Sequence, residues 1–139
     1  MKAYNVDDFA VLIGIDWADK KHDICEHPLY SKSYHYSIIK SKPEALHDWA
    51  MDLKKRYPNQ KIAVVCELKK GPLIYALTQY DHLTLFTVNP STVAKYRKAF
   101  TPSGAKDDPS DAFVQVEILT LHMDKLFVIE PESASTRSL

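Results

Sequence analysis

Three glycines in 139 residues leave too little backbone freedom for a phosphate-cradling loop or for the glycine-flanked serine elbow of hydrolases. Cysteine is as sparse. Cys25 and Cys66 stand far apart with no CxxC companion, which excludes a zinc ribbon and a disulfide framework and leaves both as small apolar residues of strand-like segments. The six histidines show no HxxH or HExxH spacing, so no histidine-based metal site is marked. No apolar run exceeds strand length and none follows Met1-Lys2-Ala3; neither a membrane span nor a signal peptide is expected, and the expected location is cytoplasmic. Charge of one sign is not in excess, since Lys plus Arg and Asp plus Glu both number 18, so any nucleic-acid surface must be local.

The remaining composition suits one globular domain with a real core. Val11-Leu12-Ile13-Gly14-Ile15-Asp16-Trp17 reads as a strand buried on both faces, with an acid only where it runs out, at the kind of edge where an open α/β sheet keeps its chemistry. Strands over 10–17, 22–27 and 30–39 have connections too short for crossovers and must form an antiparallel meander. Ser41-Lys42-Pro43-Glu44 has capping-box form and opens a helix with Leu46, Trp49, Ala50, Leu53 and Tyr57 on one face. The strand over 61–68, apolar until Glu67, follows that helix and is expected as a parallel neighbour. A helix from Gly71-Pro72, a strand over 83–88, a helix over 91–100 behind Asn89-Pro90 and a loop over 101–107 come next. A long helix from Asp108-Pro109 carries Ala112, Val116, Leu119, Met123 and Leu126 as one stripe. The expected fold is α/β and ribonuclease-H-like: a mixed five-stranded sheet, three antiparallel strands then parallel ones, flanked by helices.

Four acids fall at element ends. Asp16 and Glu67, on parallel strands about 4.8 Å apart, would meet at one sheet edge, where two bare carboxylates repel each other unless a cation or ample solvent intervenes. Oxygen ligands there suit Mg²⁺ or Mn²⁺ better than zinc. The bland alternative is that acids at strand ends simply start loops. Asp108 and Asp111 are good helix N-terminal chemistry on their own, yet residues three apart share a helix face, their β-carbons ~5 to 6 Å apart, and so could serve one cation. Lys95, Arg97, Lys98 and Lys106 occupy an acid-free stretch interleaved with Tyr96 and Phe100, and Lys69 and Lys70 follow Glu67. Such cations suit phosphate backbones, and equally a solvated helix face.

Gly14-Ile15-Asp16, Glu67 within Cys66-Glu67-Leu68-Lys69-Lys70-Gly71-Pro72-Leu73, and Lys106-Asp107-Asp108-Pro109-Ser110-Asp111-Ala112 together resemble the amino-terminal domain of the DEDD-type transposases. These are insertion-sequence recombinases related to the Piv invertase and guided by a bridge RNA. The resemblance implies a domain like the junction resolvase RuvC, with Asp16 as the first acid, Glu67 as the second, and Asp108 and Asp111 as the pair in a K-x-D-x-x-D-A pattern. It implies that these four are catalytic and bind Mg²⁺ or Mn²⁺, and that DNA, a guide RNA and other copies of the full-length protein are partners. Pro109-Ser110 departs from the basic residues often found there. Such enzymes also have a carboxy-terminal domain with a nucleophilic serine, which nothing after Leu126 supplies. The expected organisation is thus a catalytic domain over 1–127 and a polar tail or linker over 128–139, the whole weak or inactive by itself. The expected function is that of a metal-binding catalytic domain acting on DNA phosphodiesters in transposition. Alternatives are a stand-alone nuclease or junction resolvase of this fold, and a non-catalytic nucleic-acid-binding module whose acids only cap helices. An actin-like nucleotide-binding fold also begins with Gly-x-Asp, but its glycine-rich phosphate turn is absent after Asp16.

Overall fold

In strand β1 (Val11–Trp17) every side chain from Val11 to Ile15 is buried, which requires cover on both faces of the sheet. The computed structural model, which describes residues 4–68, 72–100 and 110–129, supplies that cover. β1 lies inside a six-stranded sheet with β2 (Lys21–Pro28), β3 (His35–Lys40), β4 (Ile62–Glu67), β5 (Leu83–Val88) and β6 (Phe127–Ile129), in the order β3-β2-β1-β4-β5-β6. β1, β2 and β3 form the antiparallel meander; β4 is parallel to β1, and β5 to β4. The fold is therefore the mixed α/β arrangement expected of a ribonuclease-H-like domain.

Period-two alternation divides the side chains between two cores. Val11, Ile13 and Ile15 of β1 join Ile62, Val64 and Cys66 of β4 beneath helix α1 (Pro43–Arg56), which contributes Leu46, Trp49, Ala50 and Leu53, and helix α2 (Pro72–Leu77), which contributes Leu77. Leu12, Ala63, Val65, Phe86 and Val88 face the other way, against Val93 of helix α3 (Pro90–Phe100) and Ala112, Val116 and Leu119 of helix α4 (Asp111–His122). Both cysteines are buried within the sheet, Cys25 on β2 and Cys66 on β4. Glu26, buried on β2, is held by two hydrogen bonds from the Arg56 guanidinium at the end of α1, 2.9 and 3.2 Å long. Among the described residues no helix is long and apolar enough to cross a membrane.

Three local expectations are corrected. The sheet has six strands, not five: the stripe Met123, Leu126 continues α4 only as a 3-10 turn over Met123–Lys125, after which β6 pairs antiparallel with β5. A 3-10 turn repeats every three residues, so it preserves the helical spacing that made this stretch look like continued helix, and three residues are too few to show a strand period. Ser41 does not cap α1. Its amide extends the sheet by donating to the Lys20 carbonyl at 2.9 Å, and Lys42 becomes the N-cap with no side-chain bond. The long helix begins at Asp111, not at Asp108-Pro109: its cap is Ser110, whose hydroxyl accepts from the Phe113 amide at 3.1 Å.

α4 reaches the sheet because β1 has no side chain at Gly14. A Cβ built there would lie 2.3 Å from the Ala112 carbonyl oxygen and 3.1 Å from a Val116 methyl. The obstruction is helix backbone, which cannot rotate aside. Gly14→Ala is expected to lower stability by about 1–3 kcal/mol, measured as a drop in the urea midpoint with an unchanged m value.

Candidate metal centre

β1 and β4 run parallel with Ile15 opposite Cys66, the last paired positions of that ladder, so Asp16 and Glu67 come next on their strands. Ile15 and Cys66 both point into the α1 core, and alternation turns Asp16 and Glu67 to the α4 side. The strands are about 4.8 Å apart. Both residues are half-buried, at the carboxyl edge of the sheet. The register thus brings both acids to one edge of the sheet.

The third acid comes from α4. Asp111 is the first residue of that helix and precedes Ala112, whose carbonyl rests over Gly14; Gly14 lies two residues before Asp16 on the same face of β1. The close approach at Gly14 therefore brings the helix start toward the acid edge. Because Ser110 supplies the capping oxygen, the Asp111 carboxylate is not consumed by that role. It forms an ion pair with Arg97, from the last turn of α3. Arg97 thus turns inward, toward the acids. Lys95 and Lys98 are exposed on the same helix. Asp108, Lys69, Lys70 and Lys106 lie outside the described residues, and among the described residues no three histidine, cysteine, aspartate or glutamate side chains stand close enough to hold a metal ion.

Two nearby residues escaped the sequence reading. Asp23 of β2 is the direct cross-strand partner of Asp16, so a second carboxylate flanks the edge. The signal was present, since a tight hairpin fixes its own register and Asp23 sits as far past the turn as Asp16 sits before it. His22 is only 4% exposed; its Nδ1 accepts from the Ala18 amide at 3.4 Å, and its ring meets Trp17 edge-on. Burial holds the imidazole below its ordinary pKa, against an opposing upward pull from the Asp16 carboxylate. A histidine kept neutral by folding binds its proton first in the unfolded chain, so its contribution is complete above the ordinary value near 6.5 and is lost as pH falls toward the lower folded value. Asp16→Asn removes the upward pull. The His22 ring, followed by NMR during acid titration, is expected to protonate at still lower pH in that variant; an unchanged titration would show that Asp16 exerts no field there.

The chemistry of the set is that of hard oxygen donors: Asp16 and Glu67 side by side and Asp111 at a helix start whose dipole is positive. Residues 13–139 match the family model described as Transposase, of the DEDD and IS110 type. The chain is 27% identical over 109 residues to the assigned transposase y4uE of Sinorhizobium fredii, covering 76% of this chain and 30% of that protein. It is 30% identical over 124 residues to the assigned mini-circle transposase for IS117 of Streptomyces coelicolor, covering 84% of this chain and 28% of that protein. The chain spans less than a third of the length of either relative. With the family match running through nearly its whole length, this chain belongs to the DEDD transposases of the IS110 type.

Proposed function

We propose that this chain is the metal-binding catalytic domain of a DNA transposase, with Asp16, Glu67 and Asp111, joined by Asp108, as the carboxylates that hold Mg²⁺ or Mn²⁺. The observation that carries this reading is the register of β1 and β4, which sets Asp16 and Glu67 side by side on the face covered by α4. Two carboxylates at strand spacing resist joint ionisation, and a divalent cation offsets that repulsion. When bound, such an ion polarises a phosphodiester and lowers the pKa of an attacking oxygen. Asp16 and Glu67 would hold such an ion from the sheet edge, and Asp111 and Asp108 would add ligands from the start of α4. Lys95 and Lys98, outward on α3, with Lys69, Lys70 and Lys106, would track the DNA backbone without reading its sequence. By this reading the chain would act on DNA in the cytoplasm, with other copies of the protein and a guide RNA as partners, and a serine-bearing domain would complete the reaction.

Arg97 fits the same account. A half-buried carboxylate needs a counter-charge, and for Asp111 the guanidinium provides it, so Arg97 and a divalent cation compete for the same oxygens.

Two measurements test the reading. Mn²⁺ is expected to raise the thermal midpoint of the chain, and Asp16→Asn to abolish that increase; absence of any metal-dependent shift in the parent chain would exclude the site. Arg97→Gln, which removes the competing cation, is expected to tighten Mn²⁺ binding by roughly threefold, the worth of one partly exposed ion pair. Weaker binding in that variant would instead make Arg97 a prop for Asp111.

A further inference from the structure

α4 carries a polar side chain where its buried face should be apolar. Gln115 is completely closed from solvent, between Ala112 and Val116 on the sheet side of the helix and one turn beyond Asp111. With its amide nitrogen turned to the sheet, Nε2 donates to the carbonyl oxygens of both Ile15 and Val65, each at 3.0 Å. Ile15 immediately precedes Asp16, and Val65 lies two residues before Glu67. One amide thereby ties together the three elements that bear Asp16, Glu67 and Asp111.

Packing alone does not call for such a residue. A buried amide costs several kcal/mol unless its hydrogen bonds are made, and leucine or methionine would fill the volume without that risk. An amide differs in being directional: its two donors are fixed in one plane, so bonds to two strands set the spacing of those strands and their distance from the helix. Apolar contacts of the kind made by Val116 and Leu119 tolerate sliding by a few tenths of an ångström. Coordination by three carboxylates from separate elements does not.

We infer that Gln115 is a positioning residue for the acid site, tying the carboxyl ends of β1 and β4 to α4 and so fixing how Asp16, Glu67 and Asp111 are placed relative to one another. The inference rests on the metal-site reading above and adds a residue outside the four acids. It acts through backbone and touches no ligand.

The test separates a positioning role from a merely structural one by comparing Mn²⁺ affinity, measured by electron paramagnetic resonance of the free ion, with thermal stability in three variants. Gln115→Met keeps the volume and removes both donors; it is expected to lower the metal-free midpoint and to weaken Mn²⁺ binding at least tenfold. Ile118→Val, which trims a buried residue of the same helix, is expected to lower the midpoint while leaving Mn²⁺ affinity within twofold of the parent. Gln115→Glu keeps the shape and, protonated by its burial, one donor. It is expected to fall between parent and Gln115→Met, and it serves if the methionine variant does not fold. Parent-like affinity in a folded Gln115 variant overturns the inference and leaves the metal site standing. Equal loss of affinity in Ile118→Val also overturns it, as any loosening of α4 would then suffice. A parent chain that binds no Mn²⁺ overturns the metal reading, and this inference with it.

Discussion

The contact of the Ala112 carbonyl with the bare backbone of Gly14 is the constraint on which the rest of the site depends. Helices normally stand off a sheet by the length of the side chains between them. Where β1 has no Cβ, α4 comes down until its own backbone meets the strand. That descent places the start of α4, with its positive dipole end and Asp111, over the edge where Asp16 and Glu67 emerge. It also lets Gln115 reach two strand carbonyls.

Charge is distributed around this contact in layers. The sheet edge concentrates carboxylates: Asp16 beside Glu67 in one direction and opposite Asp23 in the other. The helix side answers with Arg97, and beyond it Lys95 and Lys98 face solvent. A chain without net charge thus acquires local fields of both signs. Beneath the charged layer, paired polar groups among the described residues include Gln115 with its two carbonyls and Glu26 with Arg56. Burial there keeps His22 neutral while leaving its ring sensitive to the charge on Asp16.

Much of this was legible along the chain because it depends on neighbours in sequence. Unbroken apolar runs marked β1 and β4 as central strands, short connections required the meander, and a helix between them made β4 parallel to β1. Where two devices competed, sequence reasoning chose the wrong one. Ser41 had capping chemistry but was taken by the sheet, and α4 starts at Asp111 behind a Ser110 cap instead of at Asp108-Pro109. β6 was hidden because its three residues are too short to display a period.

By itself, then, the amino-acid sequence determined the order of the elements from β1 to α4, the family, and that Asp16 and Glu67 stand at strand ends, since these follow from periodicity, end chemistry and motif spacing within a few residues. Only the tertiary structure decided that Asp111 is met by Arg97, that Asp23 flanks Asp16, and that Gln115 spans two strands. Those partnerships join residues from separate elements, and their energies depend on distance and burial, which no pattern read along one strand or one helix contains.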